Sequence, residues 1–293
     1  MRVFVTGATG FIGSATVDEL LARGHTVLGL ARNDASAEAL TKKGVAVHRG
    51  DLTDLDSLVA GAKASDGIIH TAFIHDFSQF MANIETDRRA VAAMAAELEG
   101  SNKPMVIASG TLMIAGLNKV GVETDAPPDP NGPRAVAEGI VLGTPGVRGA
   151  VVRLTPTVHG AGDHGFMPRL IEAARRDGFA GYVGDGQNRW PAVHRFDAAR
   201  VFALGLEKAA PGSRLHAVAE EGIPMRKVAE TIGEMLGVPA RSLGQEEAPP
   251  HFDFLAMFVG TDNPMSSAIT QSMLGWTPKE IDLLADLRAN YFG

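Results

Sequence analysis

Three glycines near the start of the chain, Gly7, Gly10 and Gly13, mark the transition from an apolar run to a helical pattern. The run Val3–Thr6 is typical of a buried strand, and Phe11–Leu21 repeats its apolar residues at helical spacing. Gly7 permits a tight turn, Gly10 lets the backbone approach a pyrophosphate, and Gly13 lets the helix pack on the strand. Because a helix N-terminus presents unpaired N–H groups to an anion, the segment predicts a dinucleotide-binding turn.

Apolar runs and helical patterns alternate through the first half of the chain. The runs are unbroken, as expected for parallel strands covered by helices on both faces. The predicted strands are Val3–Thr6, Thr26–Leu30, Val45–His48, Gly67–His70, Met105–Ala108 and Val151–Leu154, and the predicted helices are Phe11–Leu21, Ala35–Lys42, Leu55–Ala60, Ser78–Leu98 and Arg134–Leu142. This alternation predicts an α/β fold, a Rossmann-type doubly wound parallel sheet.

The pattern changes after Thr155-Pro156, where glycines punctuate residues 157–187. Helical patterns return further on, at Phe166–Arg176, Asp197–Lys208, Met225–Leu236, Ala268–Leu274 and Ile281–Tyr291. We assign residues 1–155 and 189–213 to a dinucleotide-binding domain. Residues 156–188 and 214–293 form a smaller, discontinuous substrate lobe, with a ligand cleft between the two.

Composition narrows the class of partner. The formal net charge is −7 with both signs interspersed, so there is no basic surface for nucleic acid or membranes. Cysteine is absent, which excludes disulfides and thiolate chemistry. No apolar stretch is long enough to span a bilayer, the N-terminus does not read as a signal peptide, and no metal-ligand spacing occurs. We expect a cytoplasmic protein with a small-molecule substrate.

Five motifs follow one another in a characteristic order: Thr6–Gly13, Gly50–Asp54, His70–Ala72, Val193–Ala199 and Leu274–Pro278. Over essentially the whole chain, they resemble the extended short-chain dehydrogenase/reductase superfamily of NAD(P)-dependent epimerase/dehydratase type. The resemblance implies a Rossmann domain that binds a nicotinamide dinucleotide. It also implies that the helices 78–98 and 134–142 are candidates for a homodimer face, although both would pack on the sheet of a monomer too.

The catalytic centre departs from that family, in which a Ser or Thr follows strand five and a Tyr-x-x-x-Lys pair follows on the next helix. Thr111 falls at the hydroxyl position, while Arg134 and Glu138 stand where the tyrosine and lysine are expected. The two tyrosines of the chain, Tyr182 and Tyr291, lie elsewhere in the sequence. The chain therefore resembles an atypical subgroup that lacks the pair.

This departure changes the available chemistry. An arginine stays protonated in proteins, so Arg134 cannot act as an acid or base, but it can stabilise negative charge on a substrate oxygen. Glu138 could accept hydrogen bonds from ribose hydroxyls; the alternative is a surface ion pair between the two residues, four positions apart. The candidates for the missing proton donor come from the second lobe and are His159 and His164 first, then Asp163, Tyr182 and His194.

The end of predicted strand two indicates which dinucleotide binds. NAD-preferring proteins usually carry an acidic residue there, which grips the ribose hydroxyls and would repel a 2′-phosphate. This chain has Ala31 followed by Arg32 and Asn33, and Asp34 comes too late. A guanidinium suits a phosphate, so NADP is predicted over NAD.

The resemblance implies further cofactor contacts. Asp51 and Leu52 would flank the adenine, although Asp51 fits an Asx turn equally well, and the Thr155–Val158 backbone would meet the nicotinamide. The full predicted set is Gly7, Thr9, Gly10, Phe11, Ile12, Arg32, Asn33, Asp51, Leu52, Thr71, Ala72, Ser109, Thr155, Thr157 and Val158.

The leading functional hypothesis is an NADPH-dependent oxidoreductase that transfers a hydride to a small carbonyl, imine or activated alkene. In it, Thr111 and Arg134 polarise the acceptor. One alternative is a nucleotide-sugar epimerase or dehydratase, whose reactions rely on the missing tyrosine pair. Another is a non-catalytic NADPH-sensing protein whose lobes close on the cofactor.

Overall fold

The computed structural model describes residues 1–75 and 79–292 of the 293-residue chain. Its strands are β1 (Arg2–Thr6), β2 (Thr26–Ala31), β3 (Ala46–Arg49), β4 (Gly67–His70), β5 (Pro104–Gly110), β6 (Arg148–Leu154), β7 (Thr157–His159), β8 (Ala180–Val183), β9 (Arg189–His194), β10 (Ser213–Ala217), β11 (Glu220–Pro224) and β12 (Ala240–Leu243). Its α-helices are α1 (Phe11–Ala22), α2 (Asp34–Lys42), α3 (Leu55–Lys63), α4 (Phe80–Leu98), α5 (Ala135–Gly143), α6 (Phe166–Asp177), α7 (Arg195–Lys208), α8 (Met225–Leu236), α9 (Ala248–Phe252), α10 (Ala256–Val259), α11 (Ala268–Leu274) and α12 (Leu283–Asn290).

Within the described ranges, seven parallel strands form the main sheet in the order β10-β6-β5-β4-β1-β2-β3. Helices cover both faces: α1 and α7 pack together on one side, and α3, α4 and α5 follow one another on the other. The buried strands β1 and β4 are apolar almost throughout, as parallel strands between two helical layers must be. The predicted doubly wound α/β fold is confirmed.

The residues that precede three helices, α1, α2 and α3, determine which N–H groups at the helix N-termini already have a hydrogen-bond partner. Helix α2 begins after Asn33, whose side chain accepts a hydrogen bond from the Ser36 N–H at 2.9 Å. Helix α3 begins after Asp54, which accepts from the Ser57 N–H at 3.0 Å. Helix α1 begins after Gly10 without a side-chain cap, so its first N–H groups remain available to a ligand.

The smaller lobe carries two small sheets. Strands β11, β9 and β7 form one, and β12 pairs with β8 in the other. Helices α6, α8, α9, α10 and α12 enclose a separate apolar core around Trp190, whose side chain is buried. This core fixes α6, which faces the main sheet across the cleft.

The predicted domain division differs from the structure at two strands. It ended the dinucleotide domain at residue 213, but β10 (Ser213–Ala217) pairs with β6 and belongs to the main sheet. It also gave residues 189–213 to that domain, whereas β9 pairs with β7 and β11. Both strands are assigned by hydrogen bonding to strands that are distant in sequence, which the local sequence pattern does not show. The long predicted helix begins at Phe80, and Ser78 lies outside the described residues.

Candidate dinucleotide cleft and active site

The glycine-rich turn holds three segments in close contact. Gly7 adopts a φ of +70°, and a Cβ there would lie 2.7 Å from the Ala72 nitrogen. A Cβ on Gly13 would lie 2.0 Å from the Gly7 carbonyl oxygen. The Gly10 N–H donates to that same oxygen at 2.9 Å. Glycine is therefore required at Gly7 and Gly13 if α1 is to start this close to β1 and to the segment after β4.

A cleft of about 910 Å³ opens beside this turn, between the carboxyl ends of the main-sheet strands and the smaller lobe. This is the edge at which open α/β sheets bind ligands, and the size is that of a typical ligand pocket. The predicted cofactor residues that line it are Gly7, Thr9, Gly10, Phe11, Ile12, Arg32, Asp51, Leu52, Thr71, Ala72, Thr155 and Val158.

Three predicted cofactor residues do not line the cleft, because their side chains serve the fold. Asn33 caps α2. The Ser109 hydroxyl donates to the Met113 sulfur at 3.6 Å, and the buried Thr157 hydroxyl donates to the Pro191 carbonyl oxygen. Asp51 lines the cleft and also accepts from the Thr53 hydroxyl at 2.6 Å, which with the Thr53 N–H lowers the pKa of the carboxyl.

Two features of the cleft fit a dinucleotide. Thr155 is 4 % exposed, and its hydroxyl oxygen has no hydrogen-bond partner among the described residues. An unpaired buried hydroxyl is costly unless a ligand or water completes it. The uncapped N-terminus of α1, with Gly10, Phe11 and Ile12 in the cleft wall, is an anion-binding feature. The residues present therefore fit a pyrophosphate with an amide or hydroxyl partner near Thr155.

The structure places two of the three predicted catalytic residues away from the cleft. Thr111 is fully buried, and its Oγ1 accepts a hydrogen bond from Asn263 Nδ2 at 3.0 Å. Glu138 is 2 % exposed and accepts from Arg153 Nε at 2.9 Å and from Nη2 at 2.8 Å. A fully buried arginine needs a carboxylate, so Glu138 faces neither a ribose nor Arg134.

Arg134 lies beside the cleft at the start of α5. Its Nη2 donates to the Ala108 carbonyl oxygen at 3.2 Å and its Nη1 to Asp87 Oδ2 at 3.4 Å. The guanidinium stands over the ring of Phe73, 4.4 Å from the centroid, and Phe73 lines the cleft. The positive charge is therefore held next to the cavity rather than within its wall.

A buried polar chain supports Arg134 from behind. Asp87 Oδ1 accepts from His70 Nε2 at 3.1 Å, which leaves His70 Nδ1 to accept from the Thr6 hydroxyl at 2.7 Å. Burial raises the pKa of Asp87, but the hydrogen bond from His70 and the positive charge of Arg134 outweigh it and keep that pKa below its usual value. Both ring nitrogens of His70 therefore have hydrogen-bond partners inside the protein.

Of the candidate proton donors, His164 and Asp163 line the cleft. His159 is buried elsewhere, with its Nδ1 2.7 Å from Asp286 Oδ2. His194 accepts the Phe196 N–H at the start of α7, and Tyr182 lies in β8, outside the cleft wall.

Asp163 is engaged with its own lobe. It accepts from the Gly165 N–H at 2.6 Å and from the Tyr291 hydroxyl at 2.8 Å. Burial raises the pKa of its carboxyl against these hydrogen bonds. His164 is more open, and its ring contacts Phe11 edge-on with centroids 5.8 Å apart.

Two cleft residues with charged or titratable side chains, His75 and Arg169, were not predicted from the sequence. The cleft walls partly desolvate the His75 imidazole, and this, followed by the positive charges of His164, Arg134 and Arg169, lowers its pKa. The position of His75 in the loop after β4, on the ligand side of the sheet, was the available signal. Arg169 lies in the first turns of α6 and gave no signal beyond its charge.

Among residues 1–75 and 79–292, no group of three or more metal-binding side chains is arranged around a common point. In the same part of the chain, no helix combines the length and apolarity needed to cross a membrane.

The profile of the NAD dependent epimerase/dehydratase family matches residues 3–218. An uncharacterized protein of Schizosaccharomyces pombe is 46 % identical over 100 % of both chains, and one of Saccharomyces cerevisiae is 48 % identical over 99 % of both. A 2-alkyl-3-oxoalkanoate reductase of Stenotrophomonas maltophilia is 31 % identical over 82 % of this chain and 77 % of its own.

Solved structures show the same fold. DesIV, a dTDP-glucose 4,6-dehydratase of Streptomyces venezuelae with NAD and TYD bound, superposes with a TM-score of 0.78 at 21 % identity over 99 % of this chain and 95 % of its own. MoeE5 in complex with UDP-glucose and NAD gives a TM-score of 0.73 at 23 % identity, over 98 % and 96 %. At these identities the likeness concerns the fold alone.

Proposed function

Because the chain belongs to the NAD dependent epimerase/dehydratase family, we propose that it is an NADPH-dependent reductase acting on a small carbonyl, imine or activated alkene. The observation that carries this proposal is the single cleft that joins the glycine-rich turn to His75, His164 and Arg169. A carbonyl substrate is favoured because one relative is named an oxoalkanoate reductase. The cofactor and the acceptor would share the cleft.

The chain's own residues divide the work of holding the cofactor. The N-terminus of α1 at Gly10 would take the pyrophosphate, Asp51 and Leu52 the adenosine, and the unpaired Thr155 hydroxyl the nicotinamide end. When bound, the cofactor would supply the hydride. The remaining chemistry, charge stabilisation and proton delivery, falls to the protein.

Arg32 supports NADP over NAD. It follows β2 directly, is exposed and lines the cleft. The nearest acidic candidate, Asp34, is 2.6 Å from Arg49 Nη2 and so already has a cationic partner. A guanidinium in this place attracts a 2′-phosphate that a carboxylate would repel.

We therefore expect Arg32→Glu to raise the Kd of NADPH at least about tenfold while changing the Kd of NADH far less, since charge-assisted contacts are worth about that factor. Fluorescence titration of each cofactor measures both constants. Arg49→Glu, which alters the neighbouring arginine, serves as the matched control. Equal weakening of both cofactors by Arg32→Glu would rule out the NADP preference.

Proton transfer is proposed for His164. Its Nδ1 faces the Gly162 carbonyl oxygen at 3.4 Å, so Nε2 is the nitrogen that exchanges a proton with the substrate oxygen. The lowered pKa of His75 keeps that imidazole neutral near pH 7, and a neutral imidazole donates a hydrogen bond to a developing oxyanion. Arg134 adds a fixed positive charge without giving up its proton.

The test is oxidation of NADPH, followed by absorbance, against ketones, aldehydes, imines and activated alkenes. His164→Gln is expected to lower kcat about a hundredfold, the usual contribution of a general acid. His25→Gln, on the other side of the molecule beside Glu207, should leave kcat unchanged. Tight NADPH binding with no turnover of any compound would contradict the reductase and favour a cofactor-sensing protein.

The family supports one other activity. The solved neighbours include MoeE5 with NAD and either UDP-glucose or UDP-glucuronic acid bound, so a nucleotide-sugar epimerase or dehydratase is the alternative. Conversion of UDP-glucose or dTDP-glucose without net consumption of NADPH would establish it and displace the reductase.

A further inference from the structure

One end of the cleft is basic. Arg169, His75 and His164, here termed the basic end, line it on the side of the smaller lobe. The Arg169 guanidinium lies over the ring of Phe254, 4.9 Å from the centroid. It is close enough to His75 for its charge to lower the pKa of that imidazole. In the described part of the chain, Arg169 forms no ion pair with a carboxylate.

Among the described residues, two carboxylates, Asp163 and Asp51, line the cleft, and neither forms an ion pair with Arg169. Asp163 is held by the Gly165 N–H and the Tyr291 hydroxyl on its own lobe. Burial also raises the pKa of its carboxyl. The other carboxylate of the cleft wall, Asp51, belongs to the opposite end, beside Arg32. The basic end therefore has an excess of positive charge that faces the cavity.

The anionic groups of the cofactor already have partners elsewhere. The α1 N-terminus takes the pyrophosphate and Arg32 the 2′-phosphate in the proposed complex. The unpaired Thr155 hydroxyl lies in the same cavity wall and offers a neutral donor. Arg169 is left for the second ligand, and its planar fork of N–H groups matches a carboxylate with two parallel hydrogen bonds.

We propose that the substrate carries a carboxylate, which Arg169 binds at the basic end of the cleft with His75 beside it. This inference rests on the proposed reductase function and names its substrate class as oxo acids. The stacking of Arg169 on Phe254 holds the guanidinium in place, so that little side-chain freedom is lost on binding.

The kinetic test pairs each acid with its neutral ester. NADPH oxidation is measured with pyruvate, acetoacetate and levulinate and with the methyl ester of each. Wild-type protein should favour at least one acid over its ester, and Arg169→Gln should raise the KM of that acid about tenfold or more while changing the ester less than about threefold. Arg169→Lys should recover part of the loss. Arg175→Gln, an exposed arginine of the same helix outside this cleft, is the matched control and should behave as wild type.

A binding test separates this proposal from the reductase itself. Calorimetry of the NADP⁺-saturated protein with the same acids and esters needs no turnover. Binding of an acid that Arg169→Gln abolishes would support the carboxylate site even if no compound is reduced. Esters that bind as well as acids would overturn it. A rise in the Kd of NADP⁺ in Arg169→Gln, with acids and esters affected alike, would assign Arg169 to the cofactor and also overturn it.

Discussion

At the scale of single residues, one fully buried arginine determines the role of Glu138. Arg153 in β6 is 0 % exposed, and its guanidinium meets both oxygens of Glu138 from α5. Arg214 Nε lies 3.6 Å from the same carboxylate. A buried charge left without its partner costs far more than the pair itself contributes, so this carboxylate holds α5 to β6.

Glu138→Gln is therefore expected to lower the free energy of unfolding by about 3–5 kcal/mol and to leave the Kd of NADPH unchanged. Urea unfolding and a fluorescence titration on the same sample measure the two quantities. Glu85→Gln, which removes an exposed pair with Arg88, should change neither. Weaker NADPH binding with intact stability would instead restore the ribose contact expected from the sequence.

The sequence could place Arg134 and Glu138 on one helix but could not choose their partners. Spacing favoured an ion pair between them, whereas Arg134 reaches Asp87 and Glu138 reaches Arg153, fifteen residues on. The residues that line the cleft were located better, because the turn, the residue after β2 and Thr155 all lie at strand ends that the pattern predicted. His75 and Arg169 line the same cleft only because the smaller lobe packs close to the main sheet, and a sequence pattern does not show that packing.

At the scale of elements, packing distinguishes two glycines that the sequence presents alike. Gly13 lies in α1 against the Gly7 carbonyl, whereas Gly139 lies on the exposed side of α5 with nothing within 4 Å of an added Cβ. A methyl group at Gly13 must push α1 away from β1. A methyl group at Gly139 meets no atom and removes backbone freedom from the unfolded chain.

Gly139→Ala should thus raise the free energy of unfolding by about 0.5–1 kcal/mol, the helix-propensity difference between the two residues. Gly13→Ala should lower it and also weaken NADPH binding, since the cofactor turn moves with α1. Thermal unfolding followed by circular dichroism, with and without NADPH, tests both changes. A neutral Gly13→Ala would show that α1 is not packed this closely.

An apolar run or a helical period predicted most of the main elements, but strand β7 was not predicted. Strand β4 has the predicted bounds, Gly67–His70, and α6 extends the predicted helix by one residue, to Asp177. Strand β7 spans three residues, Thr157–His159, too few to show a period. It forms only because β9, far along the chain, pairs with it.

At the scale of the whole molecule, buried histidines tie stability to pH. His159, His194 and His216 are each less than one-tenth exposed. Burial lowers the pKa of all three below 6.5, against the opposing effect of Asp286 on His159 and of the Ser266 carbonyl on His216. At a pH between the lowered folded values and 6.5, these imidazoles therefore stay neutral in the folded chain, whereas the histidines of the unfolded chain take up protons.

The sign of the effect follows from proton binding. Below the unfolded pKa of 6.5, the unfolded state binds more protons than the folded state, so the stability present above 6.5 is lost as the pH falls toward the lowered folded values. Burial raises the pKa of the Asp163 and Glu220 carboxyls. These two carboxyls have the opposite effect on stability. Between their ordinary pKa and their raised folded pKa, the folded state binds more protons than the unfolded state, so stability rises as the pH falls.

We expect the free energy of unfolding to fall as the pH drops below about 6.5, by up to about 1.4 kcal/mol per pH unit for each histidine that remains neutral. Urea unfolding at a series of pH values measures this slope. His159→Gln keeps a hydrogen-bond donor toward Asp286 and removes one titrating imidazole. It should therefore reduce the slope by the contribution of one proton, up to about 1.4 kcal/mol per pH unit. His216→Gln should act similarly, whereas His25→Gln, half-buried beside Glu207, should leave it unchanged. A slope equal in all four proteins would mean that these imidazoles take up protons as readily in the folded state as in the unfolded state, which would contradict the effect of their burial.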